Sequence, residues 1–437
     1  MKKSLLSFLL VISFGAQAQF WTNKATGFAS DNRSLSSIAI VNTSVIWATA
    51  FDNTNPSLPN YTIKEFTLST DGGNTWAAKT MNLGTNSIGL GISSITAISG
   101  TTAWISAYPE TAGTGGIWKT IDAGVTWTRQ SSALFSNVNS YTNFVHFWDA
   151  NNGIAQGDPE SVEFEIYTTT DGGATWNRVN GANIPNPNIN EAGYDNLYSV
   201  SGNTIWFGTD AGRIFKSTDK GLTWTVTQSP SIDFGLDRFT FSDINKGLLM
   251  INNPAALYKT TDGGTTWNLI SATGFFNNEI AYIPSTSLVI SVATSNPYGS
   301  SYSTDNGLTW TSIDAVYHGT LAFLNSSFGF SSSINTSAVA GGIFKYTGTQ
   351  LAVPNFEIKK TILVYPNPTA GSLQLNSASS LLKEVAVFDL LGKQVYNSKF
   401  SALDKVDLNL KSLQTGTYVL KATSVSGKTE SIKFMKK

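Results

Sequence analysis

Asp158 and Asp210 are the two side chains whose types and spacing most directly suggest chemistry. Each follows an apolar anchor, Ile154 or Trp206, by four residues, and the anchors hold the same place in successive repeats of the chain. Two carboxylates on either side of a sugar can serve as acid and base on a glycosidic bond. Around them stand Tyr61, Tyr108, Glu110, Glu160, Tyr194, Arg238, Tyr298 and His318, residues suited to stacking and hydrogen bonding with a glycan or a peptide. Other chemistry is poorly provided for. There is no Cys, and no G-x-S-x-G, H-E-x-x-H or P-loop segment. His146 and His318 have aromatic neighbours, which points to packing more than to ligation. Neither a cofactor nor a metal is called for.

The elements that must position these side chains come from a unit written six times. The copies are STDGGNTW (69–76), TIDAGVTW (120–127), TTDGGATW (169–176), STDKGLTW (217–224), TTDGGTTW (260–267) and STDNGLTW (303–310). Their Asp residues, Asp71, Asp122, Asp171, Asp219, Asp262 and Asp305, are 51, 49, 48, 43 and 43 residues apart. A period of that size means a solenoid, a propeller or an array. Each copy joins two β-prone runs, so it reads as a hairpin turn in which Asp accepts from backbone N–H groups and the Gly two residues on takes a positive φ. The indoles of Trp76, Trp127, Trp176, Trp224, Trp267 and Trp310 begin the next strand and can fill the gap between neighbouring sheets. Asp-rich turns of this kind lack the further carboxylates of a calcium cage.

These residues resemble the Asp-box repeat of sialidases, some glycoside hydrolases, sortilin-like receptors and photosystem assembly factors of the BNR type. The resemblance spans residues from about 20 to about 350. It implies an all-β fold, a β-propeller, with the Asp boxes on the outer rim in a structural role. Aligning the chain with itself gives four strands per blade. After the sixth box, Gly342 to Thr347 matches a third strand with no Trp strand behind it, whereas Phe20-Trp21-Thr22 looks like an outer strand with no blade before it. We therefore expect seven blades over residues 19–349, closed by the N-terminal strand, in preference to six blades with two frayed ends. Asp158 and Asp210 then fall on second strands, away from the axis, where solvated carboxylates are common. A sialidase-like enzyme would need three Arg converging on a carboxylate. Of Arg33, Arg129, Arg178, Arg213 and Arg238, only Arg33 and Arg238 lie on the expected functional face, and the F-R-I-P element of sialidases is absent. Xyloglucanase-like enzymes carry two propellers and an R-T-D-x-G-G start, neither of which is found.

Charge and targeting signals complete the picture. From Gln19 to Gln350 there are 14 Lys and Arg against 23 Asp and Glu, while Leu351 to Lys437 carries 12 Lys against 6 acids. An acidic main domain argues against nucleic acid as a partner. Lys2 and Lys3, an apolar run from Leu5 to Phe14 and Ala16-Gln17-Ala18 read as a signal peptide over 1–18, cut between Ala18 and Gln19.

Residues 350–360 read as a linker and 361–437 as a small β-sandwich. Its YPNP opening (Pro366, Asn367, Pro368), the Asp389-x-x-Gly392-Lys393 turn, the Leu413-x-x-Gly416-x-Tyr418 segment and the basic tail resemble the type A C-terminal sorting domain of the type IX secretion system. That resemblance implies passage across the outer membrane by the type IX machinery, removal of the domain by its sortase, and attachment to surface lipopolysaccharide or release. The combined expectation is an exported, monomeric propeller that binds a glycan or protein ligand. The alternatives are a glycoside hydrolase, sialidase-like or polysaccharide-cleaving, and a protein assembly or scaffold factor.

Overall fold

The computed structural model describes residues 20–54, 63–111, 113–135, 140–233, 235, 237–270, 272–347, 362–377, 381–389, 392–427 and 429–437. The expected signal cleavage at Ala18 and Gln19, the linker 350–360 and Tyr61 lie outside these residues. Two compact units, Met1–Ala352 and Val353–Lys437, divide the chain.

Seven antiparallel sheets of four strands make up the first unit. Blades 1 to 6 are continuous in sequence, over 33–80, 90–129, 142–178, 193–228, 238–270 and 279–314. Blade 7 takes three strands from 321–346 and its outermost strand, Trp21–Ala25, from the other end of the unit. Trp21 pairs with Tyr346 across that junction, and the indole Nε1 donates to Ser300 Oγ of blade 6 at 3.1 Å. Each innermost strand touches those of its two neighbours, and that of blade 7 returns to that of blade 1, so the ring is closed. Closure pairs a strand edge that would otherwise face solvent.

Aromatic side chains bind the blades together. Trp104 of blade 2 stacks on Phe147 of blade 3 at 3.6 Å, and Trp206 of blade 4 stacks on Phe241 of blade 5 at 3.9 Å. Both indoles are fully buried, and Trp206 Nε1 also donates to the Gly263 carbonyl in the next blade's Asp box. The Asp boxes are rim turns between third and fourth strands. In the fourth copy, Ser217 Oγ and the N–H groups of Leu222 and Thr223 donate to Asp219 Oδ1, and Thr223 Oγ1 donates to Oδ2 at 2.6 Å. Gly124 shows why the box needs glycine: φ is +76°, and a Cβ there would stand 2.2 Å from the Phe66 ring of the preceding blade.

The second unit pairs a three-stranded sheet with a four-stranded one over a core that includes Leu373, Leu375, Val385, Val387, Leu420 and Phe434. Asn367 of the YPNP segment ties the start of the unit to its last strand, accepting from Met435 N at 2.9 Å and donating to the Lys433 carbonyl. Lys393 N donates to Asp389 Oδ1 at 2.9 Å, closing the turn in which Gly392 takes φ +83°.

Candidate functional site in the centre of the ring

Irregularities in the inner strands build the site. In blade 3 the ladder skips Asn143 on the first strand and Asp158 on the second, leaving both as bulged residues. A bulge re-aims the side chain it frees. Here the two freed side chains meet: Asn143 Nδ2 donates to Asp158 Oδ1 at 2.8 Å, and Gly193 N of blade 4 donates to the same oxygen at 2.8 Å. A Cβ on residue 193 would stand 2.5 Å from Asn143 Nδ2, so a side chain there would push the Asn143 amide away from Asp158. Blade 4 breaks its own ladder between Gly193 and Tyr198, with Asn196 at φ +55°, and Tyr194 and Asp195 lie in the irregular stretch.

A cavity of 740 Å³ runs through the middle of the ring, lined by Tyr141, His146, Asp158, Tyr194, Asp195, Arg238 and Glu279 among others. The sequence placed Asp158 away from the axis, and the structure corrects this: the bulge turns it inward to the cavity wall. Asp210 does not line the cavity; its Oδ1 accepts from Ala192 N at 2.9 Å, one amide from the Gly193 N–H held by Asp158. Arg238 pairs with Glu279 at 3.3 Å, and the Tyr194 hydroxyl donates to Asp233 Oδ1 at 2.5 Å. The rings of Tyr108 and Tyr141 stack at 4.0 Å; Tyr108 is mostly buried, and a Cβ on Gly91 would collide with it.

The remaining expected residues are spread more widely. Glu110 is exposed at the end of its strand. Glu160 is bound to Arg178 at 2.6 Å, and Tyr298 is exposed beside Tyr317. His318 is fully buried, with Nδ1 against Ser331 Oγ at 3.1 Å and Nε2 against Asp314 at 3.1 Å, and its ring packs between Trp21 and Phe344. It is part of the core at the ring junction. Tyr141 and Glu279 line the cavity, and Asn143 and Gln156 are buried behind its wall, without having been singled out as ligand-binding candidates, because their placement follows from bulges and channel depth that leave no mark on sequence spacing.

Electrostatics set this wall apart. Burial pushes the Asp158 carboxyl up to about 6, against the hydrogen bonds from Asn143 and Gly193, and the charge of Asp210 adds to the rise. Asp195 is raised well above the ordinary range by burial, then by Asp158 and Glu110. It is open to the water of the cavity while protein surrounds it, so its charge is poorly solvated although its surface is wet. Asp210 is also raised, first by burial. On the rim the order reverses: bonds from Thr75 and Thr126 hold Asp71 and Asp122 down at about 2. The five Arg of the chain do not converge. Arg33 is paired with Asp52 and Glu65, Arg178 with Glu160 and Glu163, Arg213 with Glu191 and Arg238 with Glu279, while Arg129 donates to backbone carbonyls.

Residues 363–437 match the secretion system C-terminal sorting domain family. The second unit is therefore the export signal of the type IX secretion system, and the chain is exported to the cell surface or the extracellular space. For the whole chain, no curated protein matches. Among solved structures, a YCF48 protein bound to D1 peptide is 14% identical with a TM-score of 0.54, covering 77% of this chain and 98% of its own. YCF48 from Cyanidioschyzon merolae is 14% identical with a TM-score of 0.53, covering 75% of this chain and 98% of its own. At that identity the likeness establishes the fold, a β-propeller.

Proposed function

We propose that this exported propeller is a binding protein that takes its ligand, a glycan or a segment of another protein, in the central cavity. The observation that carries the reading is the cavity itself: 740 Å³, walled by tyrosines and by polar groups freed from the strand ladders of blades 3 and 4. The peptide held by the structurally similar YCF48 propeller supports a protein segment as ligand. Glycoside hydrolysis is the second reading, favoured by the raised carboxyl of Asp158 beside Asp210. It is weakened by the place of Asp210, which lies outside the cavity with its Oδ1 taken by the Ala192 amide, so the two carboxylates do not face one bound sugar. The five Arg, each committed to its own partners, also leave a sialidase without its carboxylate clamp.

A mass-spectrometric screen of the full chain against polysaccharides, sialylated glycoproteins and peptides separates these readings. Ligand retained without products is the expected outcome. Released sugars would overturn the binding reading in favour of hydrolysis.

A further inference from the structure

The second unit is read by the type IX machinery, so part of its surface is a docking site. Its two sheets are finished differently on their two flanks. On one flank the last strand, Thr429–Lys436, is sealed by the YPNP segment. Besides the two bonds of Asn367, Thr369 N donates to the Met435 carbonyl at 2.9 Å and Lys437 N donates to the Thr369 carbonyl at 2.8 Å. On the other flank the edge strand of the four-stranded sheet, Gln394–Leu403, pairs with Leu382–Phe388 alone. A single residue, Asp404, carries the chain from there into Lys405–Asn409, the edge of the three-stranded sheet. Both of these edges therefore lie on one flank. Among the described residues, no backbone group of Gln394–Leu403 bonds outside its own ladder.

That strand also leaves the core incompletely covered. Val395, Tyr396 and Phe400 pack on the core yet stay partly exposed, whereas Ile432 and Phe434 of the sealed edge are buried. At its end Leu403 stands opposite Leu382, beside Leu381, whose carbonyl accepts from Val425 N at 2.9 Å. Leu381, Leu403 and Val425 are 47%, 44% and 54% exposed. An open edge offers its N–H and C=O groups to any arriving strand, and folds blunt it with short length, charge or proline. Gln394–Leu403 is ten residues long, with no proline and one lysine. Its ladder is regular over Tyr396–Lys399 and irregular on both sides, which limits where a further strand can join. Lys393, Lys399 and Lys405 against Asp404 give the flank a positive surplus. We propose that the type IX machinery docks on this flank, adding to the edge at Tyr396–Lys399 an extended segment that carries apolar side chains and a carboxylate. The apolar side chains cover Leu381, Leu403 and Val425, and the carboxylate meets the lysines.

Fractionation of cells that export full-chain variants tests it. Asn397→Pro and Ser398→Pro remove successive N–H groups, one turned into the ladder and the other outward. The variant that keeps the wild-type melting temperature has lost the outward group, and its surface fraction falls at least tenfold while the chain accumulates in the periplasm. The double variant Lys399→Glu with Leu403→Ser changes exposed side chains only, and it loses surface delivery severalfold even if both proline variants are unstable. Leu363→Ser, at a 58% exposed position on the sealed flank, is delivered like wild type. Wild-type delivery of the stable proline variant or of the double variant would overturn the docking site. A loss in Leu363→Ser as large as in the double variant would overturn it in favour of the sealed flank. Sedimentation of the purified chain covers the remaining occupant: a wild-type dimer that the double variant dissociates without harm to delivery would make the edge a contact between copies and overturn machinery docking.

Discussion

Asp158 shows how a single side chain couples the fold to the site. Its carboxyl is lifted to about 6 from an ordinary value of 3.8, first by burial. A native-state value above the unfolded one means that the folded chain binds the proton more tightly. The stabilisation it contributes is therefore full below pH 3.8 and is lost as pH rises through about 6. Asp158→Asn keeps an oxygen to accept from Asn143 and Gly193 and has no charge to desolvate. The variant should be more stable than wild type at pH 8, by on the order of 1 kcal/mol or about 2 °C, with the gain shrinking by pH 4. Melting curves at the two pH values check this; a lowered melting temperature at pH 8 would show that the ionised carboxylate is a net stabiliser. The type of this residue and its repeat position were legible in the sequence. Its direction was not, because a one-residue bulge reverses which way a strand residue points without changing any spacing that can be counted.

The elements divide into those that local chemistry specifies and those that require the partner strand. Asp boxes belong to the first kind, since Asp, Gly and Thr each find a hydrogen-bond partner within eight residues, and such turns can be read directly. Asp219→Ala removes one acceptor for four donors, from Ser217, Leu222 and Thr223. It should cost about 2 kcal/mol in denaturant unfolding while leaving ligand binding unchanged. A loss of binding with unaltered stability would instead give the rim a functional role. Elsewhere on the rim, Asp71 and Asp122 have values held down at about 2, so their contribution is present above the ordinary 3.8 and lost as pH falls toward 2. The inner strands are of the second kind. Tyr194 and Asp195 owe their place to an irregular pairing with blade 4's second strand, and His318 owes its burial to Trp21, some 300 residues away, so neither could be placed from its own neighbourhood.

At the scale of the molecule, the second unit carries the export signal, and ligand recognition is the role proposed for the first. Deleting 361–437 should leave the propeller in the periplasm, as fractionation and immunoblotting would show; normal surface delivery of the truncated chain would contradict the sorting role of the second unit. Ring closure by the N-terminal strand was foreseeable because an orphan outer strand at one end matched a blade lacking one at the other. The cavity was not foreseeable, since it draws its lining from several blades whose sequence positions share no motif. Hydrogen exchange of the full chain, with and without whichever ligand the screen retains, tests the central claim most directly. Slowed exchange confined to Thr142–Phe147, Gly153–Glu160 and Gly193–Ser201 is the predicted result. Protection confined to the Asp-box rim, with those strands unaffected, would contradict it.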